Sequence, residues 1–163
     1  MAGLARCPAM APQPGTPAPP IALLDQRGEQ VALADHAGHP VLVYFYPKAD
    51  TPGCTTQSCG LRDVAGEIGD TAVIGISPDL PAKLARFDEK YGLGFTLLSD
   101  PDHEVAESYG VWGEKKLYGK AYMGIIRSAF LIGADGAVLA AWPKISPKDT
   151  PTKLLRALKD LPA

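Results

Sequence analysis

Val41 to Tyr46 is apolar at every position, the pattern of a central strand covered on both faces of its sheet. Ala72 to Ser77 repeats it. Shorter signals lie around these two runs. Ile21 to Asp25 and Gln30 to Leu33 flank the turn Gln26-Arg27-Gly28 and predict an N-terminal β-hairpin. Asp35 to Pro40 reads as a loop or a single helical turn. From Cys54 to about Ile68 the period changes: Leu61, Ala65 and Ile68 follow Cys54 at helical spacing and predict one buried face. Pro81 to Tyr91 predicts a helix opened by proline and closed by Gly92. Phe95 to Leu98 predicts a short strand, and Ser99-Asp100-Pro101 leads into a helix that Gly110 stops after Tyr109. Val111 to Gly124 is the least regular stretch, with Trp112, three lysines and three glycines. Ile125 to Ile132 predicts a strand, Asp135-Gly136 a turn, Ala137 to Trp142 the next strand, and Thr152 to Leu161 an amphipathic helix. Strands alternating with helices, plus a late hairpin, describe an α/β layered domain with a central sheet flanked by helices.

Composition narrows the function classes. A chain of 163 residues is long enough for one domain with a proper core. The formal net charge is -2 and no long like-charge run occurs, so neither a nucleic-acid arm nor an anionic-membrane anchor is expected. No apolar stretch approaches the roughly 18 residues needed to span a bilayer. The start, MAGLARCPAM, has one Arg and no apolar h-region, so a secretory signal is not expected. Leu4-Ala5-Arg6-Cys7 is faintly like a lipoprotein cleavage site, against which the Arg and the missing h-region both argue. The expected location is the cytoplasm. Thiols there are kept reduced, so a close cysteine pair reads as redox-active rather than as a permanent staple. Six prolines, from Pro8 to Pro20, predict an extended start. The expected division is a flexible Pro-rich extension over residues 1–14 and one domain over 15–163. Cys7 lies in the extension and reads as a spare thiol open to oxidative dimerisation.

The chemistry is concentrated after the first apolar run. The chain breaks at Pro47, turns through Asp50-Thr51-Pro52-Gly53, and places Cys54 where a helix begins. Pro52 suits the first helical position, which makes Thr51 the N-cap and puts Cys54 in the first turn. Free N–H groups and the positive end of the helix dipole favour an anion there, and the thiolate is the nucleophilic form of cysteine. The Thr51 hydroxyl is then local to the sulfur, as a donor to it or to a bound oxygen. The bland alternative is a buried inert cysteine; the turn preceding Cys54 favours the reactive reading. Cys59 follows five residues later. On an ideal helix that spacing puts the two Cα atoms ~8.7 Å apart, beyond the roughly 7 Å that a disulfide bridges without backbone movement. A Cys54–Cys59 bond therefore requires the first turns to unwind, which Gly60 eases by lowering helix propensity about 1 kcal/mol relative to Ala. The spacing is not the C-x-x-C of a dithiol oxidoreductase, and no histidine lies nearby to support a metal site. Arg127, in an otherwise apolar segment, is either a strand-end surface residue or a guanidinium paired with a buried anion such as the thiolate.

Pro47-x-x-x-Thr51-x-x-Cys54 resembles the active-site pattern of the peroxiredoxins. The longer FYPKADTPGCTTQSCGLRD resembles their PrxQ branch, also called bacterioferritin comigratory protein. The likeness covers about residues 15–160 and takes in SPD at 77–79, LLSDPD at 97–102, YGVWGEKKLYGKAYMGIIRSAFLI at 109–132 and the late Asp-Gly turn. It implies a thioredoxin-like fold and thiol peroxidase activity on hydroperoxides, without metal, haem or flavin. By resemblance Cys54 matches the peroxidatic cysteine and Cys59 the resolving cysteine. Pro47, Thr51 and Arg127 match the residues that shape the pocket and hold the peroxide. Thioredoxin or a similar dithiol is the implied reductant, and a monomer the implied state. The chain departs from the branch in three places: Gln57 stands where Glu is usual, Ala129 where Thr is usual, and Pro20 where Asp is common. Two other readings share the cysteine pair, a disulfide reductase acting on proteins and a non-enzymatic redox sensor that uses the unwinding as a switch.

Overall fold

The computed structural model describes residues 11–160; Cys7 and most of the expected extension lie outside them. A seven-stranded sheet has the order β2-β1-β5-β4-β3-β8-β9. Its strands are β1 (Ala22–Asp25), β2 (Gln30–Ala32), β3 (Val41–Phe45), β4 (Ala72–Ser77), β5 (Thr96–Ser99), β8 (Ser128–Ile132) and β9 (Val138–Trp142). β3, β4 and β5 run parallel, while β8 lies antiparallel to β3 on its other side. The helices are α1 (Pro52–Asp63), α2 (Pro81–Tyr91), α3 (Glu104–Ser108) and α4 (Thr150–Lys159). A separate two-stranded sheet pairs β6 (Trp112–Leu117) with β7 (Lys120–Ile125).

β3 shows why an unbroken apolar strand is needed at the centre. Successive side chains point to opposite faces. Leu42, Tyr44 and Tyr46 enter the core that Leu61 of α1, Leu84 and Phe87 of α2 and Leu154 of α4 complete. Val41, Val43 and Phe45 enter the other core, with Val105, Ala106 and Tyr109 around α3. Both faces are covered, so every residue of the strand is buried. Helix ends follow local chemistry. Pro81 opens α2 and Gly92 closes it at φ 57°, a left-handed conformation that glycine adopts without a Cβ penalty.

Three expectations change. α1 ends at Asp63 and a 3-10 turn, Ala65–Glu67, follows it. Ile68 is buried as expected, but Ala65 is exposed, because the helical period is lost before the chain reaches it. The irregular stretch Val111 to Gly124 is a hairpin, paired from Trp112↔Ile125 to Leu117↔Lys120. It turns at Tyr118 and Gly119, at φ 52° and 77°. Two successive positive φ values make a tight turn that suits twisted strands, and Tyr-Gly lacks the usual Asn-Gly or Asp-Gly signature. The single strand expected over Ile125 to Ile132 is broken at Ile126-Arg127, where the chain leaves the hairpin for the central sheet. At its start, the described chain lies along β9: Gly15 N–H donates to Val138 O at 2.8 Å and Val138 N–H to Thr16 O at 2.8 Å.

Close approaches bind the sheet to α1. Tyr44 pairs across the ladder with Gly75, and a Cβ at Gly75 would meet the Tyr44 ring and hydroxyl at 2.8 Å. That space lets the Tyr44 hydroxyl reach Ser58 Oγ of α1 at 2.8 Å in a fully buried contact. Gly75→Ala is therefore expected to destabilise the fold by about 1–3 kcal/mol through overpacking. Urea denaturation of native and variant protein measures the loss.

Candidate active site

Thr51 caps α1 with an extended backbone, φ -102° and ψ 156°, and Pro52 opens the helix. The first intrahelical bond runs from Thr55 N–H to Thr51 O at 2.8 Å. The N–H groups of Gly53 and Cys54 precede it and are free of the ladder, and Pro52 has none. Cys54 is completely buried at this electropositive end. It is a free thiol, as is half-buried Cys59, and both lie in the unbroken span of α1.

Arg127 arrives from the start of β8, the strand beside β3. β8 pairs with β3 as far as Phe45↔Ser128, so Arg127 stands one residue beyond, level with the chain as it leaves β3 for Pro47. Its backbone carbonyl accepts from Ile145 N–H at 3.0 Å. Its Nη2 donates to Cys54 Sγ at 3.4 Å, and its Nη1 to Gln57 Oε1 at 2.8 Å. One planar guanidinium thus holds two positions three residues apart on one face of α1. Gly53 leaves it room: a Cβ there would lie 3.1 Å from Arg127 Nη2.

The loop from Pro47 to Thr51 is tied down at each end. Asp79 Oδ2 accepts from Ala49 N–H at 2.7 Å and from the Ser77 hydroxyl at 2.8 Å. Asp50 adopts the left-handed conformation, φ 60°, which Asp tolerates better than most residues. Its carboxylate accepts from Tyr91 OH at 2.6 Å and from Lys90 Nζ at 2.9 Å, and these bonds lower its pKa. Thr51 does not donate to the sulfur: its hydroxyl donates to Lys48 O at 2.8 Å. What it offers the site is an acceptor oxygen and the helix cap. Pro47 is half-buried at the turn that ends β3.

A second cation stands near. Lys115, on the β6–β7 hairpin, donates to Ile125 O at 2.8 Å. Burial lowers its pKa, the Arg127 guanidinium acts in the same direction, and Cys54 acts against both. The neighbouring Tyr44 phenol is pushed well above its ordinary range by burial, so it stays a neutral hydrogen-bonding group.

The chain that carries this buried thiol matches known proteins in sequence and in fold. Residues 14–141 match the AhpC/TSA family. Peroxiredoxin Bcp of Escherichia coli is 60% identical over 126 residues, covering 76% of this chain and 81% of its own. A putative peroxiredoxin of Haemophilus influenzae is 52% identical over 149 residues, covering 90% and 96%. The chain is a peroxiredoxin of the AhpC/TSA family. The bacterioferritin comigratory protein of Xanthomonas campestris, solved as trapped intermediate and ligand complexes bearing on its alkyl peroxide reduction, superposes with a TM-score of 0.80 at 36% identity. That match covers 85% of this chain and 90% of the other. The fold is accordingly thioredoxin-like, and the peroxiredoxin is a thiol peroxidase of the PrxQ branch.

The structure of this peroxiredoxin brings Arg127 onto Cys54, sets Thr51 at the N-cap of the same helix and Pro47 at the turn that ends β3, and leaves Cys59 further along α1. Reading the chain residue by residue did not find Asp50, Asp79, Lys115 or Thr150. Asp79 had a signal, the Ser77-Pro78-Asp79 motif. Thr150 had none, because its partner Gln57 lies 93 residues away. Gly53→Ala tests the room left for the guanidinium. Its added methyl should displace Arg127 and slow oxidation of Cys54 by hydrogen peroxide about tenfold, read as the loss of free thiol in stopped flow. A rate unchanged from native would refute the fit.

Proposed function

We propose that this peroxiredoxin reduces hydrogen peroxide and organic hydroperoxides through Cys54, with Cys59 as the resolving thiol and a thioredoxin-type dithiol as reductant. The observation that carries the reading is the 3.4 Å contact from Arg127 Nη2 to Cys54 Sγ at the start of α1. A guanidinium and free N–H groups beside one sulfur stabilise a thiolate, and they face the position where charge develops as the O–O bond breaks. The thiolate attacks the terminal peroxide oxygen, and the leaving oxygen departs with the bonding pair and takes a proton to become water or an alcohol. Cys54 becomes a sulfenic acid. Cys59 sulfur then attacks that sulfur and expels water, forming the disulfide. The dithiol donor reduces it by exchange and leaves as its own disulfide.

Resolution requires α1 to open. The two cysteines lie in one continuous helix, whose geometry separates their Cα atoms by ~8.7 Å. Gly60 has two roles under this reading. It weakens the helix beside Cys59, and it allows α4 to pack closely, since a Cβ there would lie 2.8 Å from Pro151 Cγ. An intramolecular bond needs no second subunit, which agrees with a monomer. The remaining parts of the reading are a catalytic domain over residues 15–163 with an N-terminal extension over 1–14, a cytoplasmic location and a role in antioxidant defence. Among the described residues, no helix is long and apolar enough to cross a membrane.

Peroxide consumption coupled to thioredoxin and its reductase tests the roles. Cys54→Ser should lose turnover entirely. Cys59→Ser should take up one oxidising equivalent and then stall. Intact mass after one equivalent of peroxide, with the bridge mapped, should show Cys54 joined to Cys59. Native turnover in Cys54→Ser would end this reading.

A further inference from the structure

We infer that Thr150, in the first turn of α4, is a positioning residue for the peroxide reaction, orienting the Gln57 amide so that Arg127 is held against Cys54. The inference rests on Cys54 being the reacting thiol. Thr150 Oγ1 lies 2.9 Å from Ser146 O. A carbonyl only accepts, so the hydroxyl proton is committed there. Toward Gln57 the hydroxyl then offers lone pairs alone, and its 2.9 Å contact with Gln57 Nε2 is a donation by the amide. That leaves Gln57 Oε1 for Arg127 Nη1 at 2.8 Å. Reversing the amide would set its NH2 group against guanidinium N–H donors. It would also aim the carbonyl oxygen at a hydroxyl with no proton to give. The four groups therefore form a directed series, Arg127 to Gln57 to Thr150 to Ser146. Along the series each donor points toward Ser146, while Arg127 Nη2 donates to Cys54 Sγ.

Burial makes the order binding. Gln57 is fully buried and Thr150 is 1% exposed, so solvent does not readily replace a lost partner. Chemistry explains why this chain needs the device. A carboxylate at position 57 presents acceptors at both ends and holds an arginine whichever way it is turned. An amide presents one acceptor and must be oriented. The guanidinium is planar and rigid, so fixing Nη1 on Gln57 also fixes Nη2 on Cys54. Gln57 and Thr150 are matched: a neutral partner for Arg127, and a hydroxyl on another helix whose proton is already engaged.

The test is a double-mutant cycle on full-length protein, reading the second-order rate of Cys54 oxidation by hydrogen peroxide in stopped flow, with the thermal midpoint recorded alongside. Thr150→Val should lower the rate about tenfold through a misplaced guanidinium, and Thr150→Ser, which keeps the hydroxyl, should restore it to within about threefold of native. In the Gln57→Glu background there is no amide to orient, so Thr150→Val should change the rate less than about twofold. A native rate in Thr150→Val, or an equal drop in both backgrounds, overturns the inference and assigns Thr150 a purely structural role. Should Thr150→Val fail to fold, Thr150→Ala replaces it in both arms with the same expected outcomes. Cys54→Ser separates the two levels. Turnover in that variant refutes Cys54 as the reacting thiol, whereas an inert Cys54→Ser with an unaffected Thr150→Val refutes this inference alone.

Discussion

The contact between Arg127 and Cys54 constrains much of the molecule. It joins residues 73 apart in sequence at 3.4 Å, and each neighbouring feature serves that separation. The antiparallel register of β8 on β3 brings Arg127 level with the end of β3. The break at Ile126-Arg127 frees the side chain from the ladder to cross over α1. Gly53 keeps the approach open, and Gln57 takes the other end of the guanidinium. A charged side chain at a half-buried position is stable only with such partners.

α1 meets two opposed demands. Its start must be wound and held for Cys54 to face free N–H groups and Arg127. The proposed bridge to Cys59 requires the same turns to open. The holding contacts are concentrated before Cys59: Tyr44 on Ser58, Arg127 and Thr150 on Gln57, and the Asp50 and Asp79 anchors of the preceding loop. Each is a polar contact with specific geometry, and such contacts part more readily in steps than an interdigitated apolar face. Leu61, the large apolar side chain of the helix, lies beyond Cys59 in the core that Cys54 also enters. The order along α1 therefore puts the polar contacts where the proposed bridge requires opening and the Leu61 packing where it does not.

The legible parts of the chain were those governed by near neighbours. The strands at Val41 and Ala72, the helix between Pro81 and Gly92, and the cap-and-proline start that places Cys54 all follow from patterns within a few residues. Errors arose where distant partners decide. The β6–β7 hairpin has an exposed, charged surface and a Tyr-Gly turn, so no local pattern announced its pairing. Ala65 fitted a helical period that the chain does not sustain. Thr51 Oγ1 is local to the sulfur by sequence, but its hydroxyl donates to Lys48 O at 2.8 Å instead.

What the amino-acid order alone determined was the setting of the proposed reacting group: a cysteine in the first turn of a helix behind a proline and a threonine at the N-cap, with a second thiol five residues on. Those follow from backbone geometry over one or two turns. It also marked Arg127 as a charge in an apolar segment, with either a surface or a buried role open. Only the tertiary structure chose between them, because the choice depends on strand register and on the space beside Gly53. The same holds for Gln57. In sequence it is a polar residue on a helix; folded, it is a buried link between an arginine from β8's leading edge and a threonine on α4. Hydrogen-bond direction is a property of the assembled network, and no single segment contains it.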